Sequence, residues 1–196
     1  ILLILANFYN CKAQSIIHPI ADRNVPDNFN NVYFKDVDND LDQFVGTWVY
    51  QDGNTSLTIV LEKLTQFFNG SWYEDMLIGE YKYVVNGTEI VNYLPRLNDP
   101  NVTKAAHTID GNNIVYKPYL PECAVCSTEQ RRLALKFADL ERKYLFDSEL
   151  ILSYVNDNGV EKLYIALQGK TTSTVPHNVP LETRVPYGEY ILIKQD

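Results

Sequence analysis

Basic residues are scarce in this sequence, and their scarcity limits the partners that the protein can bind. The chain of 196 residues has 17 Lys and Arg against 25 Asp and Glu, which gives a formal net charge of -8. A field of that sign repels phosphate backbones, so we expect no nucleic-acid partner. Histidine and cysteine number three each, and the histidines stand alone without the spacing of zinc ligands. We therefore predict no metal site and no cofactor.

The sequence begins with a short stretch that carries no charge. Residues 1–10 are ILLILANFYN, apolar through Ala6, which is too short for a transmembrane helix of about 20 residues. Such a stretch is typical of the apolar core of an export signal. We assign residues 1–13 to this signal and expect an exported protein of the bacterial cell envelope, facing the periplasm or on the outer membrane.

Cys11 directly follows the apolar stretch and allows two processing routes. In the route that we favour, the thiol receives lipid and anchors the chain to a membrane, although Tyr9 and Asn10 stand where that signal normally has small residues. In the other route, a signal peptidase cuts after Ala13 and leaves Gln14 first. An uncleaved leader is the remaining alternative. Because each buried CH₂ contributes about 0.8 kcal/mol, a multiply acylated Cys11 would bind the membrane almost irreversibly.

Residues 14–43 show little hydrophobic periodicity, and we predict a tether that lies over the surface of the domain. The run KDVDND inside this range has the alternate Asp spacing that opens a calcium-binding loop. However, Leu41 stands where that loop needs Gly, and Thr47 stands where it needs a bidentate Glu. The run therefore predicts a solvated acidic turn.

From Phe44 onward, apolar and polar residues alternate with the period of two that is typical of β-strands. The segments VGTWVYQ, SLTIVLEKL, WYEDMLIGEYKYVV and TEIVNYL predict successive hairpins, and Asn86-Gly87 is a strong tight-turn signal. Gly79 interrupts the third segment and predicts a bulge or bend. About nine such strands need closure or stacking to hide their edges. We therefore predict one all-β domain over residues 44–196, an antiparallel barrel or a half-open barrel or sandwich.

Residues 128–146 fit two structures. On a helical wheel, Leu133, Phe137 and Leu140 share one face. On a strand, Leu133, Leu135 and Phe137 share one face instead. Periodicity alone leaves both structures open.

Three stretches resemble a family of small exported bacterial proteins, often lipoproteins, that has no assigned function. They are FVGTWVYQDGNTSLTIVLEK, YEDMLIGEYKYVVNG and RVPYGEYILIKQ, and they are spread over nearly all of the mature chain. The resemblance implies a β-rich domain behind a lipoprotein leader, with a strand at residues 131–137. It implies no catalytic residues.

The tripeptide Gly46-Thr47-Trp48 also resembles the first strand of lipocalin-like barrels. In that fold the Trp closes one end of the barrel, and a basic residue of the last strand covers it. The resemblance implies that Trp48 has this position and that Lys194 covers it. An ordinary core tryptophan is the alternative.

Cys123 and Cys126 form a C-x-x-C motif within PECAVCS. A redox pair of this kind needs a helix N-terminus inside a βαβ unit, and a zinc site needs two further ligands. In an oxidising envelope compartment we predict a local disulfide between these cysteines. Free thiols, or metal and redox chemistry, are the alternatives.

The predicted barrel has aromatic-rich inward faces, and we predict that its interior holds a small apolar ligand. Barrels of this size either fill with side chains or hold one such ligand. Because no converging set of titratable residues is visible in the sequence, we do not expect an enzyme. The alternative is a partner of an envelope complex that binds protein through the loops 95–130 and 170–186. The predicted pocket residues are Trp48, Leu57, Ile59, Tyr81 and Tyr83.

Overall fold

The structure is a computed structural model that describes residues 16–22, 24, 27–116, 124, 126–127, 129–142, 148–169, 180 and 182–195. These residues contain three short 3-10 helices, Asp42–Phe44, Leu94–Asn98 and Lys104–Ala106, and no helix in them is long and apolar enough to cross a membrane. Strands make up most of the rest. They are β1 (Ile16–Pro19), β2 (Val32–Lys35), β3 (Gly46–Asp52), β4 (Thr55–Phe68), β5 (Tyr73–Val85), β6 (Thr88–Asn92), β7 (Ile109–Val115), β8 (Arg132–Phe137), β9 (Ser148–Asp157), β10 (Val160–Gln168) and β11 (Gly188–Gln195).

Eight of the strands form a closed antiparallel barrel. From β3 to β5 and from β7 to β11, each strand pairs with the next one along the chain, while β6 pairs with β5 outside this ring. The β5–β7 pairing, with Gly79 opposite Ile109, and the β11–β3 pairing, with Lys194 opposite Trp48, complete the ring. The predicted all-β class and antiparallel barrel are confirmed. Strand β8 is also where the family resemblance implies a strand.

The barrel closes around a core because alternate residues of its strands are apolar. In β4, Leu57, Ile59 and Leu61 are at most 1% exposed, whereas the residues between them are partly exposed. Removing a side chain of this size from water contributes about 1.5–3 kcal/mol. A slip by one residue would turn all three side chains to the outside, so burial fixes the register of the strand. The same alternation on the other strands produces one continuous core inside the barrel.

Strands β1 and β2 extend the sheet outside the barrel. β1 lies parallel to β2, and β2 pairs in parallel with the start of β5. Val32 and Leu41 are 1% and 0% exposed. The ordered domain therefore begins before residue 44, which corrects the predicted tether over residues 14–43. These strands have four residues each, too few for an alternating pattern to be recognised. The predicted signal, residues 1–13, lies outside the described residues.

One end of the barrel is closed by the 3-10 helix Asp42–Phe44, and we call it the capped end. The ring of Trp48 packs against this helix, and its Nε1 donates a 2.8 Å hydrogen bond to the carbonyl of Phe44. Lys194 Nζ lies 5.4 Å from the centre of the Trp48 ring and forms a 3.0 Å ion pair with Glu161. Trp48 and Lys194 thus have the positions that the lipocalin-like resemblance implies.

The acidic run KDVDND forms a turn beside the capped end. Asp36 accepts hydrogen bonds from the backbone N–H groups of Asp40 and Leu41, at 2.8 and 3.0 Å. Lys63 Nζ lies 2.8 Å from the Asp36 carboxylate, and Arg131 Nη1 lies 2.7 Å from that of Asp40. The predicted turn is present, but it is not wholly solvated, because Asp36 is 3% exposed.

Candidate functional site

Three inward-facing tyrosines lie at the end of the barrel opposite the cap, which we call the far end. Tyr50 follows Trp48 by two residues on β3 and therefore lies on the same face of the strand. Tyr50 and Tyr83 both lie opposite Leu57, one on each side of β4. Tyr190 packs against the core from β11, which the closure of the ring places beside β3. The three residues come from distant parts of the chain and meet only because the barrel closes.

The three rings are close together in a poorly hydrated place. The ring centres of Tyr50 and Tyr190 are 5.1 Å apart in an edge-to-face arrangement. Burial, and then the nearness of Tyr83 and Tyr50, raises the pKa of Tyr190 to about 12. Burial and the nearness of Tyr50 raise the pKa of Tyr83 as well. The hydroxyls of Tyr83 and Tyr190 are therefore neutral at pH 7 and able to donate hydrogen bonds.

Two of these hydroxyls have hydrogen-bonding capacity to spare. The Tyr190 hydroxyl donates a 2.6 Å hydrogen bond to the carbonyl of Pro186. Within the described part of the chain, no group forms a hydrogen bond with the hydroxyl of Tyr50 or Tyr83. Tyr83 is only 7% exposed, so bulk water reaches little of it. The Tyr83 hydroxyl oxygen still touches water, so a ligand that carries a hydrogen-bond acceptor can displace that water and accept a hydrogen bond in its place.

The far end also has apolar side chains and an open rim. Leu167 on β10 is 2% exposed and lies opposite Gly188, the first residue of β11. Gly188 is exposed, and a methyl group built on it would have no other heavy atom within 4 Å, so the rim is open to solvent at this point. Near the same end, the Tyr187 hydroxyl lies 3.0 Å from Ser148 Oγ. Apolar side chains and tyrosine hydroxyls beside an open rim are features of sites that hold a small amphipathic molecule.

The five predicted pocket residues all lie inside the barrel, but they do not form one site. Trp48 belongs to the cap. Tyr81 stacks on Phe137, with ring centres 4.4 Å apart. Ile59 lies between Trp48 and Tyr81 in the register of the sheet and is 0% exposed. The predicted residues that border the far-end tyrosines are Leu57 and Tyr83.

Tyr50 and Tyr190 were not among the predicted pocket residues. A period of two was the available signal, because it places Tyr50 on the inward face with Trp48 and Tyr190 on the inward face with Lys194. The sequence does not show that these two faces belong to neighbouring strands, because β3 and β11 become neighbours only when the ring closes.

A second polar cluster is buried on the outer face of β5. The Glu80 carboxylate, on a residue that is 0% exposed, accepts a 2.6 Å hydrogen bond from the Thr108 hydroxyl. His107 Nδ1 lies 3.0 Å from the same carboxylate. Arg96 Nε lies 3.3 Å from it, close enough for an ion pair but without hydrogen-bond geometry. This cluster fastens the segment 94–108 to the barrel, so His107 is paired and not isolated as the sequence suggested.

The described residues also bear on the cysteines and on metal binding. Cys126 is disulfide-bonded and 8% exposed. The other two cysteines, Cys11 and Cys123, lie outside the described residues, so the predicted Cys123–Cys126 pairing stays a prediction. In the ranges that the structure describes, no three His, Cys, Asp or Glu side chains converge as metal ligands.

The fold and this site define a class of protein, the small up-and-down β-barrel, here with one capped end and a tyrosine-lined far end. The chain belongs to DUF6705, a family of unknown function whose profile matches residues 1–195. No curated protein and no solved structure shows a significant match. The resemblance to a family without assigned function is confirmed, while export and a lipid anchor stay predictions.

Proposed function

We propose that this protein is a binding module that holds a small amphipathic ligand at the far end of its barrel. The observation that carries the proposal is the pair of hydroxyls, on Tyr50 and Tyr83, that no described residue bonds and that lie beside an apolar interior. The half of the barrel next to the cap is filled by Trp48 and Phe44, each 0% exposed. A ligand therefore enters from the far end and lies near Leu57 with its polar group at the tyrosines.

The chemistry of the far end selects a type of ligand. Neutral tyrosine hydroxyls donate to a carboxylate, carbonyl or ester oxygen without requiring a charge on the protein. The walls contributed by Leu57 and Leu167 favour an aliphatic or aromatic body behind that oxygen. We expect a molecule with one polar end and an apolar remainder, of which a long-chain carboxylic acid is the simplest representative.

We also propose that the protein is not an enzyme. Within the described residues, the two arginines whose pKa is raised are each paired with a carboxylate. Arg131 pairs with Asp40, and Arg184 pairs with Asp139, each at 2.7 Å. Groups held in this way stabilise the fold and are not poised to attack or to move a proton.

The proposed location is the bacterial cell envelope, with the chain anchored through lipid on Cys11. Two features support it: the apolar stretch before Cys11, and the disulfide at Cys126, a bond that persists in oxidising compartments. The chain has three cysteines, so pairing of Cys126 with Cys123 leaves the Cys11 thiol available for lipid. The mass of the detergent-extracted chain, before and after reduction, reports both the acyl groups and the pairing.

Binding of a protein partner through the loops 95–130 and 170–186 is the alternative proposal. It has less support, because the first loop is held to the barrel at Leu97 and at His107, and the stretch between them, residues 98–106, has no exposed large hydrophobic side chain. Leu97 is 8% exposed and lies in a cluster with Met76 and Ile78 of β5. Pull-down of a stoichiometric partner that competes with an apolar ligand would favour this alternative.

The binding proposal is tested by titrating the protein with cis-parinaric acid, a fluorescent long-chain carboxylic acid. We expect saturable binding of one molecule per chain. The double variant Tyr50→Phe and Tyr83→Phe lacks two hydrogen-bond donors, each worth about 0.5–1.5 kcal/mol, and its Kd should be about tenfold higher. Tyr154→Phe is the matched control, since Tyr154 bonds to Glu161 and packs beside Trp48 at the capped end. Non-saturable binding, or equal effects of both changes, would refute the proposal.

A further inference from the structure

Exposed apolar side chains are concentrated on one part of the described surface. We call residues 16–37 the N-terminal extension. Eleven of the described large hydrophobic residues are exposed, and six of them lie on this extension or at the end of the adjoining β4–β5 hairpin. The other five are spread over the barrel. Such clustering marks an interaction site, whereas single exposed hydrophobic residues do not. The six are Ile16, Ile17, Phe29, Val37, Phe68 and Tyr73.

Aromatic rings lie on both faces of the sheet at the end of the β4–β5 hairpin, Phe68 and Tyr73 on one face and Phe34 and Trp72 on the other. The Phe29 ring lies 4.9 Å from that of Trp72 and 5.9 Å from that of Phe34, measured between ring centres. Across the end of the hairpin, the rings of Phe68 and Tyr73 are 5.1 Å apart. We call these five residues the aromatic tip. Phe29, Phe68 and Tyr73 are 36%, 52% and 37% exposed, so much of the tip is in water.

We propose that the aromatic tip inserts into the headgroup layer of a lipid bilayer, the membrane that carries the Cys11 anchor. The inference rests on the proposed function in one respect, namely that Cys11 bears lipid. The tip makes the contact with lipid, and the anchor keeps the tip close to the bilayer.

The distance along the chain supports this occupant. Cys11 lies five residues before Ile16, where β1 begins. Five extended residues span at most about 18 Å. In the register of the extension, Ile16 lies opposite Val32 and His18 lies opposite Phe34 of the tip. A lipid on Cys11 therefore keeps the start of β1 within about 18 Å of the bilayer, near enough for the tip to reach its surface.

The chemistry of the tip fits a bilayer interface. Trp and Tyr are the residues enriched at the boundary between lipid and water, where an apolar ring with a polar edge is favoured. The tip contains both, as Trp72 and Tyr73, together with three phenylalanines. A net charge of -8 gives no electrostatic attraction to anionic lipid. We therefore expect contact through apolar insertion, more readily into zwitterionic lipid than into anionic lipid.

The position of the tip also orients the barrel. Strand β4 runs from Thr55 at the far end to Phe68 at the tip, so the tip and the cap are on the same side. An inserted tip places the capped end toward the membrane and the far-end tyrosines toward the aqueous phase. The proposed ligand would then exchange with the aqueous compartment and not directly with the bilayer.

Tryptophan fluorescence in phosphatidylcholine vesicles tests the inference. The chain has two tryptophans, and Trp48 is 0% exposed inside the barrel, so a quencher in the lipid reaches Trp72 alone. With full-length protein and vesicles that contain brominated phosphatidylcholine, we expect loss of Trp72 emission, because a Trp ring at the interface lies within reach of the brominated chains. The emission of the variant Trp72→Phe should be the same in vesicles with and without bromine. Equal emission of the wild type with and without bromine would overturn the proposal.

Partitioning of the unlipidated protein separates the tip from the anchor. In Cys11→Ala, added to the same vesicles, the pair Phe29→Ser and Phe68→Ser should reduce the bound fraction by about tenfold, because two large apolar side chains no longer enter the lipid. The pair Val160→Ser and Ile191→Ser is the matched control, since these residues are 45% and 48% exposed on the barrel wall. Equal effects of the two pairs would contradict the inference.

The anchor and the tip fail in different ways. An unacylated Cys11 in extracted wild-type protein, with Trp72 still quenched, would remove the anchor and keep the tip as a membrane contact. An acylated Cys11 with unquenched Trp72 would keep the anchor and refute the tip. If the Phe29 and Phe68 changes abolished a dimer in sedimentation without changing lipid binding, the surface would be a contact between two copies, and the inference would be wrong.

Discussion

Single carboxylates fasten the outer segments of this protein to its barrel, and Asp139 is the best-defined example. Its side chain is fully buried, and Arg184 Nη2 lies 2.7 Å from it. The backbone N–H of Arg184 donates a further hydrogen bond of 2.9 Å. Burial alone would raise the pKa of Asp139, but the hydrogen bonds and the charge of Arg184 outweigh burial and lower it. The contact ties the segment before β11 to the end of β8.

The lowered pKa of Asp139 has a defined consequence for stability. A carboxylate whose pKa is lower in the folded state contributes stability above the unfolded-state pKa of about 3.9, and the contribution is lost as the pH falls through the folded-state pKa. We expect Asp139→Asn to reduce the free energy of unfolding at pH 7 by about 3 kcal/mol, because Arg184 is left buried without its partner. The loss should be smaller at pH 3. Urea unfolding at both pH values measures it.

A surface pair provides the control for Asp139. Asp157 lies 2.6 Å from Lys162, but half of its side chain is in water. Exposed pairs contribute little because water and salt screen them, so Asp157→Asn should change the unfolding free energy much less than Asp139→Asn. Equal changes at pH 7 would show that burial of Asp139 is not what makes its ion pair important.

At the scale of elements, β5 explains why the barrel can close. It pairs with β4 along most of its length and with β7 through the three residues Leu77, Ile78 and Gly79. Pairing with β4 passes through Gly79 without a shift, and the irregularity lies instead between Leu64 and Phe67. A bulge at Gly79, one of the two structures predicted there, is therefore wrong. Glycine is needed because a Cβ at this position would lie 2.4 Å from the carbonyl oxygen of Val60.

This close approach predicts a large effect of a small change. Gly79→Ala would push apart two paired strands at the point where the ring closes, because backbone cannot move aside as a flexible side chain can. We expect a loss of about 3 kcal/mol or more, the range of severe overpacking. Thermal unfolding by circular dichroism measures it. Gly53→Asn is the control: Gly53 has φ of +54° in open space, a conformation that Asn tolerates. A neutral Gly79→Ala would mean that the strands are not this close.

The sequence predicted best the strands that pair with their neighbours along the chain. The hairpin of β3 and β4 is visible because Leu57, Ile59 and Leu61 alternate and the turn residues lie between the strands. β1 and β2 were not predicted, because each is too short to show an alternating pattern. In addition, β2 pairs in parallel with the start of β5, about 40 residues away along the chain. Glu80 and His107 escaped for the same reason, since their contact spans 27 residues.

At the scale of the whole molecule, closure of the barrel brings the far-end tyrosines together. A sequence pattern does not show which strands pair to close the ring. Trp48 and Lys194 were predicted together only through the lipocalin-like resemblance, which supplies the contact between first and last strand. Without that knowledge, alternation assigns Tyr50 and Tyr190 to inward faces but not to one another. The pocket prediction therefore named residues of the barrel interior without the two tyrosines that closure brings together, and a pocket lined by its five residues stays a prediction.

The molecule has two parts whose stabilities should differ. The barrel strands share one continuous core, whereas β1 pairs only with β2, and β2 with two residues of β5. Asp75 connects the parts: its carboxylate accepts hydrogen bonds from the Tyr33 hydroxyl and from the backbone N–H of Asp36 at 2.9 Å. Burial, and then the bond to Asp75, raises the pKa of Tyr33 to about 12. Few contacts thus hold the extension, so it should open without unfolding the barrel.

Hydrogen exchange measured by mass spectrometry tests this division. Hydrogen bonds to a charged group contribute about 1.5–3 kcal/mol, so Asp75→Asn should speed exchange in residues 32–35 at least tenfold. Exchange in the barrel strands should stay unchanged except at Gln66 of β4, whose backbone N–H also donates a 2.9 Å hydrogen bond to Asp75. Glu89→Gln is the control, since Glu89 forms a surface pair with Lys82 on β6 and β5. If Asp75→Asn accelerated exchange equally in β3 and β4, the extension and the barrel would unfold as one unit, and the tip would be as rigid as the core behind it.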